Sequence, residues 1–168
     1  MRPPKRQERR KRRAQIDPNG YDAGKKIKGK KIKGKKRHVL VDARGLLLCA
    51  LVRPAGIQDR DGGVLLMQLL YGRFPFLEKL FADGGCQGPV FAEGVKKAMT
   101  SLEVEIVKRS GAAIGFEVLP LRWIVERSIG WHGRCRRLAK DYECLTKNAL
   151  AFLKLASIGI MLRRLCMA

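Results

Sequence analysis

The chain has 168 residues, of which 46% are hydrophobic and 30% charged, and it carries a formal net charge of +21. This length supports one ordinary core, so a single globular domain is expected. Five cysteines without a C-x-x-C pair exclude a disulfide framework and a cysteine zinc site. Lysine and arginine interrupt the apolar stretch at 148–166, and the N-terminus has no apolar segment. Neither a membrane span nor a signal peptide is therefore predicted, and a soluble cytoplasmic protein is expected.

The positive charge is concentrated near the N-terminus. Residues 1–37 hold 17 basic and 3 acidic residues, a net charge of +14, whereas the remaining 131 residues have a net charge of +7. Such an arm is attracted to polyphosphate, although runs of like charge are also typical of solvated tails. We therefore expect a basic disordered arm over residues 1–20, followed by one domain over 21–168. The string KKIKG occurs twice in tandem, from residue 25 to 34, and predicts a cationic loop.

From residue 37 onward, β-prone runs alternate with helical patterns. Two apolar runs around Ala43-Arg44-Gly45 predict a β-hairpin. After the hairpin, most predicted helices and strands begin or end at a glycine, a proline or an acidic capping residue. The predicted order is a strand at 37–42, a strand at 46–53, a helix from Asp59 or Asp61 to about residue 71, a strand at 79–82, a helix at 88–99, a strand at 102–107, a long helix from Pro120 and a helix at 148–165. This order predicts a mixed α/β fold.

Two acidic residues stand where α/β proteins place functional groups. Asp83 follows the predicted 79–82 strand and precedes a Gly-Gly pair, at the strand end where such sheets bind ligands. Glu126 shares a helix face with arginines and glycines, whereas the apolar stripe faces elsewhere. Two such carboxylates suit Mg²⁺, which prefers oxygen ligands. The pattern leaves a second interpretation open, in which Asp83 caps the next helix and Glu126 pairs with Arg122 at i−4.

Seven strings occur in order along the chain: GYDAGKKIKG, KKRHVLVDARGLLLCALV, IQDRDGG, FADGG, EIVKRS, GFEVLPLRWIVERS and GRCRRLAKDYE. Together they resemble the DDE transposases of the bacterial insertion-sequence-five family over residues 20–164. The resemblance implies an RNase H-like mixed sheet flanked by helices, and enzymes that cut and rejoin element ends with Mg²⁺ or Mn²⁺. It further implies that Asp83 and Glu126 are catalytic, metal-binding carboxylates and that Arg122 supports the site.

The resemblance also implies that DNA, as element ends and as target, is the main partner. The residues predicted to contact the DNA backbone are Lys25, Lys26, Lys28, Lys35, Lys36, Arg37, Arg134 and Arg137. A solvated loop is the alternative for the lysines that precede Arg37. Family members act as assemblies on paired ends, so a homodimer is a candidate assembly and the product of an upstream reading frame is a candidate partner. A nucleoid-associated location in the bacterial cytoplasm follows.

The first catalytic aspartate of the family has no clear counterpart here. In the family it lies on a strand upstream of G-Y-D-x-G-K-K, in a segment like I-D-S-Q-S-V, whereas residues 9–20 read RRKRRAQIDPNG. Asp17 follows an isoleucine but precedes a Pro-Asn-Gly turn, and Asp42 matches a hairpin-turn residue. Cys86 stands where the family usually has tyrosine. We therefore expect that the first, central strand of the sheet is missing and that the domain is N-terminally truncated.

Three functions remain open at this point. In the first, the chain is a truncated or frame-disrupted transposase fragment, inactive alone. In the second, it is an intact enzyme that recruits Asp17 as a third carboxylate. In the third, it is a non-catalytic basic DNA-binding protein derived from a transposase. Because two of three carboxylates would hold metal poorly, we predict that the chain alone does not catalyse DNA transposition.

Overall fold

The computed structural model describes residues 16–27, 30–107 and 121–166 of the chain. Within these residues lie β1 (Gly20–Ile27), β2 (Lys30–Val41), β3 (Leu47–Pro54), α1 (Asp59–Leu70), β4 (Lys79–Asp83), α2 (Pro89–Ala98), β5 (Glu103–Val107), α3 (Arg122–Gly133) and α4 (Thr146–Cys166). Short 3-10 helices cover Gly84–Cys86 and Arg136–Leu138. The predicted mixed α/β fold is confirmed. None of the helices in the described ranges combines the length and hydropathy of a membrane-spanning segment.

The predicted β2–β3 hairpin is present. The two strands pair antiparallel, with Leu40 opposite Cys49. In the turn, Asp42 Oδ1 accepts hydrogen bonds from the main-chain N–H groups of Arg44 and Leu46, at 2.9 and 2.7 Å. Gly45 adopts a φ of +82°, a conformation that favours glycine. Asp42 is therefore a turn residue, as predicted.

The described residues of the KKIKG repeat, 25–27 and 30–34, lie in strands, so the prediction of a loop was wrong for them. β1 pairs antiparallel with the first part of β2, with Ile27 opposite Lys30 and Gly20 opposite Gly34. This pairing satisfies main-chain donors and acceptors that a loop would leave to solvent. β2 therefore extends over 12 residues, and its first part pairs with β1 while its second part pairs with β3.

The described strands form two separate sheets. β1, β2 and β3 make a three-stranded antiparallel sheet, whereas β4 and β5 make a two-stranded parallel sheet. Side chains of the β2–β3 hairpin alternate between two cores, as the period of a strand requires. Leu40 and Leu51 pack on the core formed by α1, α2 and β4, and Ala50 packs with Leu138 and Leu153 on the opposite face. The hairpin thus separates two layers of helices.

The helices differ from the prediction in two places. α1 follows Gln58, which occupies the cap position without a side-chain hydrogen bond, so neither Asp59 nor Asp61 is the cap. Both aspartates lie in the first turn, where a carboxylate is favourable near the positive end of the helix dipole. The predicted long helix ends at Gly133, because Cys135 takes an extended conformation before the second 3-10 helix. Pro120, its predicted start, lies outside the described residues.

Gly62 of α1 lies directly against the buried side chain of His38 on β2. A Cβ built on Gly62 would overlap the His38 imidazole. We predict that Gly62→Ala lowers the free energy of unfolding by about 1–3 kcal/mol, because the new methyl group must displace the ring from its buried position. Gly130→Ala is the matched control, since its Cβ on α3 would have no atom within 4 Å.

The control variant should gain about 0.5–1 kcal/mol from the helix propensity of alanine. Urea denaturation followed by circular dichroism measures both changes. If Gly62→Ala were as stable as Gly130→Ala, the close packing of α1 on β2 would be contradicted.

Candidate active site

The three predicted catalytic residues line one groove between the two sheets. Asp83 lies at the carboxyl end of β4, and Arg122 and Glu126 lie on α3. All three contribute to the wall of a cavity of about 420 Å³ that is also lined by β2. The structure therefore brings together the residues that were predicted to form the catalytic centre.

Each of the two carboxylates also makes a local hydrogen bond. Asp83 Oδ1 accepts from the main-chain N–H of Gly84 at 2.7 Å and caps the first 3-10 helix. Glu126 Oε1 accepts from Arg122 Nε at 2.9 Å, one helical turn away. Asp83 and Glu126 remain exposed. The ion pair that the sequence left as the alternative is therefore present. Asp83 caps the short Gly84–Cys86 helix and not the predicted 88–99 helix, whose cap position is occupied by Gly88. Both carboxylates remain accessible to a ligand.

Asp59 is a further carboxylate in the groove wall, which the sequence indicated only as a helix cap. One of its oxygens accepts from Lys36 Nζ at 3.1 Å. The other faces the Gly85 turn, where a Cβ built on Gly85 would lie 3.3 Å from it. In the described part of the chain, no group of three His, Cys, Asp or Glu side chains could hold a metal ion. Asp59 therefore does not complete a metal cluster with Asp83 and Glu126.

Cys86 lines the same groove and is half-buried. Burial raises the pKa of its thiol to about 11, and the negative charges of Asp59 and Asp83 add to this effect. The thiolate, not the thiol, is the metal ligand and nucleophile. Cys86 is therefore a neutral thiol at neutral pH when no cation is bound beside it.

Asp17 lies at the N-terminus of α4 and not in the groove wall. Its Oδ2 accepts from the main-chain N–H and from the hydroxyl of Thr146, both at 2.6 Å. These two hydrogen bonds lower the pKa of Asp17. Its own N–H donates to the carbonyl oxygen of Cys144 at 3.0 Å. The structure thus uses Asp17 to cap α4 and does not bring it to Asp83 and Glu126.

Several of the predicted DNA-contact residues bind groups of the protein itself. Lys35 and Arg37 donate to main-chain carbonyl oxygens between residues 138 and 144, at 2.5–3.4 Å. Lys36 forms ion pairs with Asp22 and Asp59, and its side chain is only 18% exposed. These three cations therefore hold β2 to neighbouring segments.

Among the remaining residues predicted to contact DNA, two arginines have exposed side chains, and the lysines of the KKIKG repeat have side chains that the structure does not describe. Arg137 Nε donates to Glu143 Oε1 at 2.7 Å, but its side chain remains 57% exposed. Arg134 is exposed after the end of α3. The side chains of Lys25 and Lys26, and Lys28 as a whole, lie outside the described residues. Contact of the eight predicted lysine and arginine residues with DNA stays a prediction.

A stack of arginine and tryptophan side chains on α3 was not predicted. The Arg127 guanidinium lies 4.4 Å from the ring centre of Trp123 and 4.7 Å from that of Trp131. The guanidinium of Arg164 on α4 lies 4.3 Å from Trp131. Both arginines donate to the carbonyl oxygen of Arg44, at 2.9 Å each. The spacing of Trp, Arg and Trp at i, i+4 and i+8 is the sequence pattern that could have indicated this stack. The stack and its hydrogen bonds to Arg44 hold α3, which carries Glu126, against the hairpin turn.

A sequence model of the family described as the transposase DDE domain matches residues 3–159. The chain therefore belongs to the transposase DDE domain family. Comparison with curated proteins and with solved structures found no match. Membership confirms the predicted DDE transposase resemblance, whereas assignment to the insertion-sequence-five subgroup stays a prediction.

Proposed function

We propose that the chain is the DNA-cleaving and strand-transferring portion of an insertion-sequence transposase of the insertion-sequence-five family. Its fold would be RNase H-like and would lack the first, central strand. The observation that supports this function is the convergence of Asp83, Arg122 and Glu126 on one groove in a chain of the DDE family. DNA would be the main partner, and a homodimer or an upstream-frame product would complete the assembly on the bacterial nucleoid.

The donor set of the groove fits a divalent metal only in part. The exposed carboxylates of Asp83 and Glu126 suit Mg²⁺ or Mn²⁺, because these cations prefer oxygen ligands. Within the described residues no third ligand completes the cluster. A bound metal would supply charge stabilisation to a transferring phosphoryl group. Arg122, oriented by Glu126, places a guanidinium beside the same site, where it can bind a phosphate oxygen.

Binding of Mn²⁺ tests whether the two carboxylates have more than a structural role. We expect the purified chain to bind Mn²⁺ weakly, and Asp83→Asn or Glu126→Gln to reduce the affinity by about tenfold or more, which is about 1.4 kcal/mol. Asp61→Asn is the matched control, because Asp61 is 51% exposed on α1 and does not line the groove. Water-proton relaxation measures the affinity. Equal affinities in all four proteins would contradict the proposed metal site.

The second candidate function is a non-catalytic DNA-binding protein. The net charge of +21 favours it, because neutralising phosphates and releasing counterions gives affinity without any catalytic group. Under this alternative the chain binds DNA in the absence of metal, and replacement of Asp83 or Glu126 leaves Mn²⁺ binding unchanged. The Mn²⁺ experiment therefore separates the two functions.

A further inference from the structure

Helix α4 has a buried face and, on its opposite side, an exposed apolar face. The buried face contains Ala149, Leu153 and Ser157, which are 1–4% exposed. Because a helix turns by about 100° per residue, four large side chains that are 51–75% exposed lie on the other side. These residues, which we call the outer stripe, are Leu155, Ile158, Leu162 and Leu165. Together they expose roughly 400 Å², and an apolar patch of that size is typical of an interaction surface.

The outer stripe has the spacing of a surface that pairs with another helix. Its members are separated by three, four and three residues, which is the alternation of the a and d positions in a coiled coil. The spacing is also symmetric about residue 160. A second α4 laid antiparallel would therefore place Leu155 against Leu165 and Ile158 against Leu162. The stripe is thus complementary to itself, as a two-fold symmetric interface requires.

The charges of α4 favour the antiparallel orientation. The helix contains four cations, Lys147, Lys154, Arg163 and Arg164, and no acidic residue. In a parallel pair, each cation would lie level with its own copy, and like charges repel. In the antiparallel pair, the two Lys154 side chains are about 18 Å apart along the helix axis. Each then lies level with the carboxyl end of the other helix, where the helix dipole favours a cation.

Two segments of the chain that the structure does not describe fit the outer stripe poorly. Residues 1–15 contain eight basic residues and no Val, Ile, Leu or Phe, so they cannot cover an apolar surface. Residues 108–120 would have to leave from Val107 and return to Leu121, which both line the groove. Passing α3 and α4 takes about 20 Å in each direction, and the stripe is about 15 Å long. Thirteen residues extend over at most about 45 Å, which is too short for this path.

We propose that the outer stripe pairs two copies of this chain through an antiparallel contact of their α4 helices. Two stripes would bury roughly 800 Å², and the residues beside them bring the contact to about the 1,000 Å² that a specific interface needs. An interface of this size gives a weak dimer, with an expected dissociation constant of about 10–100 µM. At about 1 µM the chain is then monomeric, so denaturation of α4 variants at that concentration reports on a single copy.

Sedimentation velocity of the full chain tests the inference. Samples are treated with nuclease and kept in about 0.5 M salt, so that nucleic acid does not bridge two basic chains. We expect a monomer at about 1 µM and a growing fraction of dimer toward about 100 µM. Leu162→Glu should weaken the dimer by about tenfold or more, because it places carboxylates in the apolar contact. Leu69→Glu on α1 is the matched control, since Leu69 is 46% exposed, and it should change the dissociation constant by less than about twofold.

A charge pair tests the orientation. In the antiparallel dimer, residues 155 and 165 of the two copies meet, so Leu155→Glu and Leu165→Lys should each weaken the dimer. The double variant places glutamate against lysine at both ends of the contact. It should therefore dimerise at least about threefold more tightly than either single variant. In a parallel dimer the same double variant would place glutamate against glutamate and lysine against lysine.

The remaining outcomes overturn the inference or one part of it. A chain that stays monomeric up to about 100 µM would overturn pairing through α4. Equal effects of Leu162→Glu and Leu69→Glu would show that a dimer forms through another surface. A double variant weaker than both single variants would overturn the antiparallel orientation. Binding of Mn²⁺ enters none of these results, so a failure of the proposed function is distinguishable from a failure of this inference.

Discussion

Leu153→Ala is expected to lower the free energy of unfolding by about 3–5 kcal/mol. Leu153 on α4 is 1% exposed and packs with Ala50 of β3 and with Leu138. The substitution removes buried methyl groups and leaves a cavity that the surrounding backbone can close only in part. Because small domains are stable by only about 5–15 kcal/mol, this loss is a large share of the total.

Leu155→Ala is the matched control for this prediction. It makes the same chemical change two residues further along α4, at a position that is 61% exposed. A change within about 0.5 kcal/mol is expected there. Urea denaturation of the two variants gives the difference directly. Similar losses would mean that α4 does not pack on β3 through Leu153.

The affinity of the chain for duplex DNA is expected to fall by about a thousandfold or more between about 50 and 200 mM salt. The physical reason is the net charge of +21, which allows the chain to neutralise many phosphates and release their counterions. Fluorescence anisotropy with a labelled duplex, repeated over a salt series, gives the slope of log affinity against log salt. A nearly flat slope would contradict an electrostatic DNA interface.

Arg134 and Lys36 are expected to contribute differently to that slope. Arg134 is exposed, so Arg134→Ala should reduce the slope by about one. Lys36→Ala should leave the slope unchanged, because its ammonium group is already bound by Asp22 and Asp59. The opposite result would show that Lys36 leaves its ion pairs to bind phosphate.

Local signals predicted most of the elements. β3, β4 and α2 lie within a few residues of their predicted bounds, because glycine and proline mark their ends and apolar periodicity marks their bodies. β2 ends as predicted but begins seven residues earlier, at Lys30. The pairing of the two KKIKG copies was not predictable in this way. Lysine-rich strands have low intrinsic strand propensity, and only cross-strand pairing stabilises them.

The individual residues of the candidate site could be predicted from the sequence, but their arrangement in space could not. Asp83 was indicated by a strand end before two glycines, and Glu126 by a helix face that lacks the apolar stripe. Asp59 was not indicated as a neighbour of this site, because its position beside Gly85 depends on how α1 packs on the sheets. The capping of α4 by Asp17 was likewise not indicated, because Asp17 and Thr146 are far apart in the chain.

The central claim is tested most directly by an assay of DNA cleavage. The purified chain is incubated in Mg²⁺ or Mn²⁺ with the DNA ends of the proposed insertion element. The claim is that a DDE transposase domain with Asp83 and Glu126 in one groove is inactive alone, because among the described residues neither Asp59 nor another carboxylate completes a metal-binding group with them. The predicted result is no cleavage above that of the Asp83→Ala variant. Metal-dependent cleavage by the chain alone that is lost in Asp83→Ala would contradict the claim.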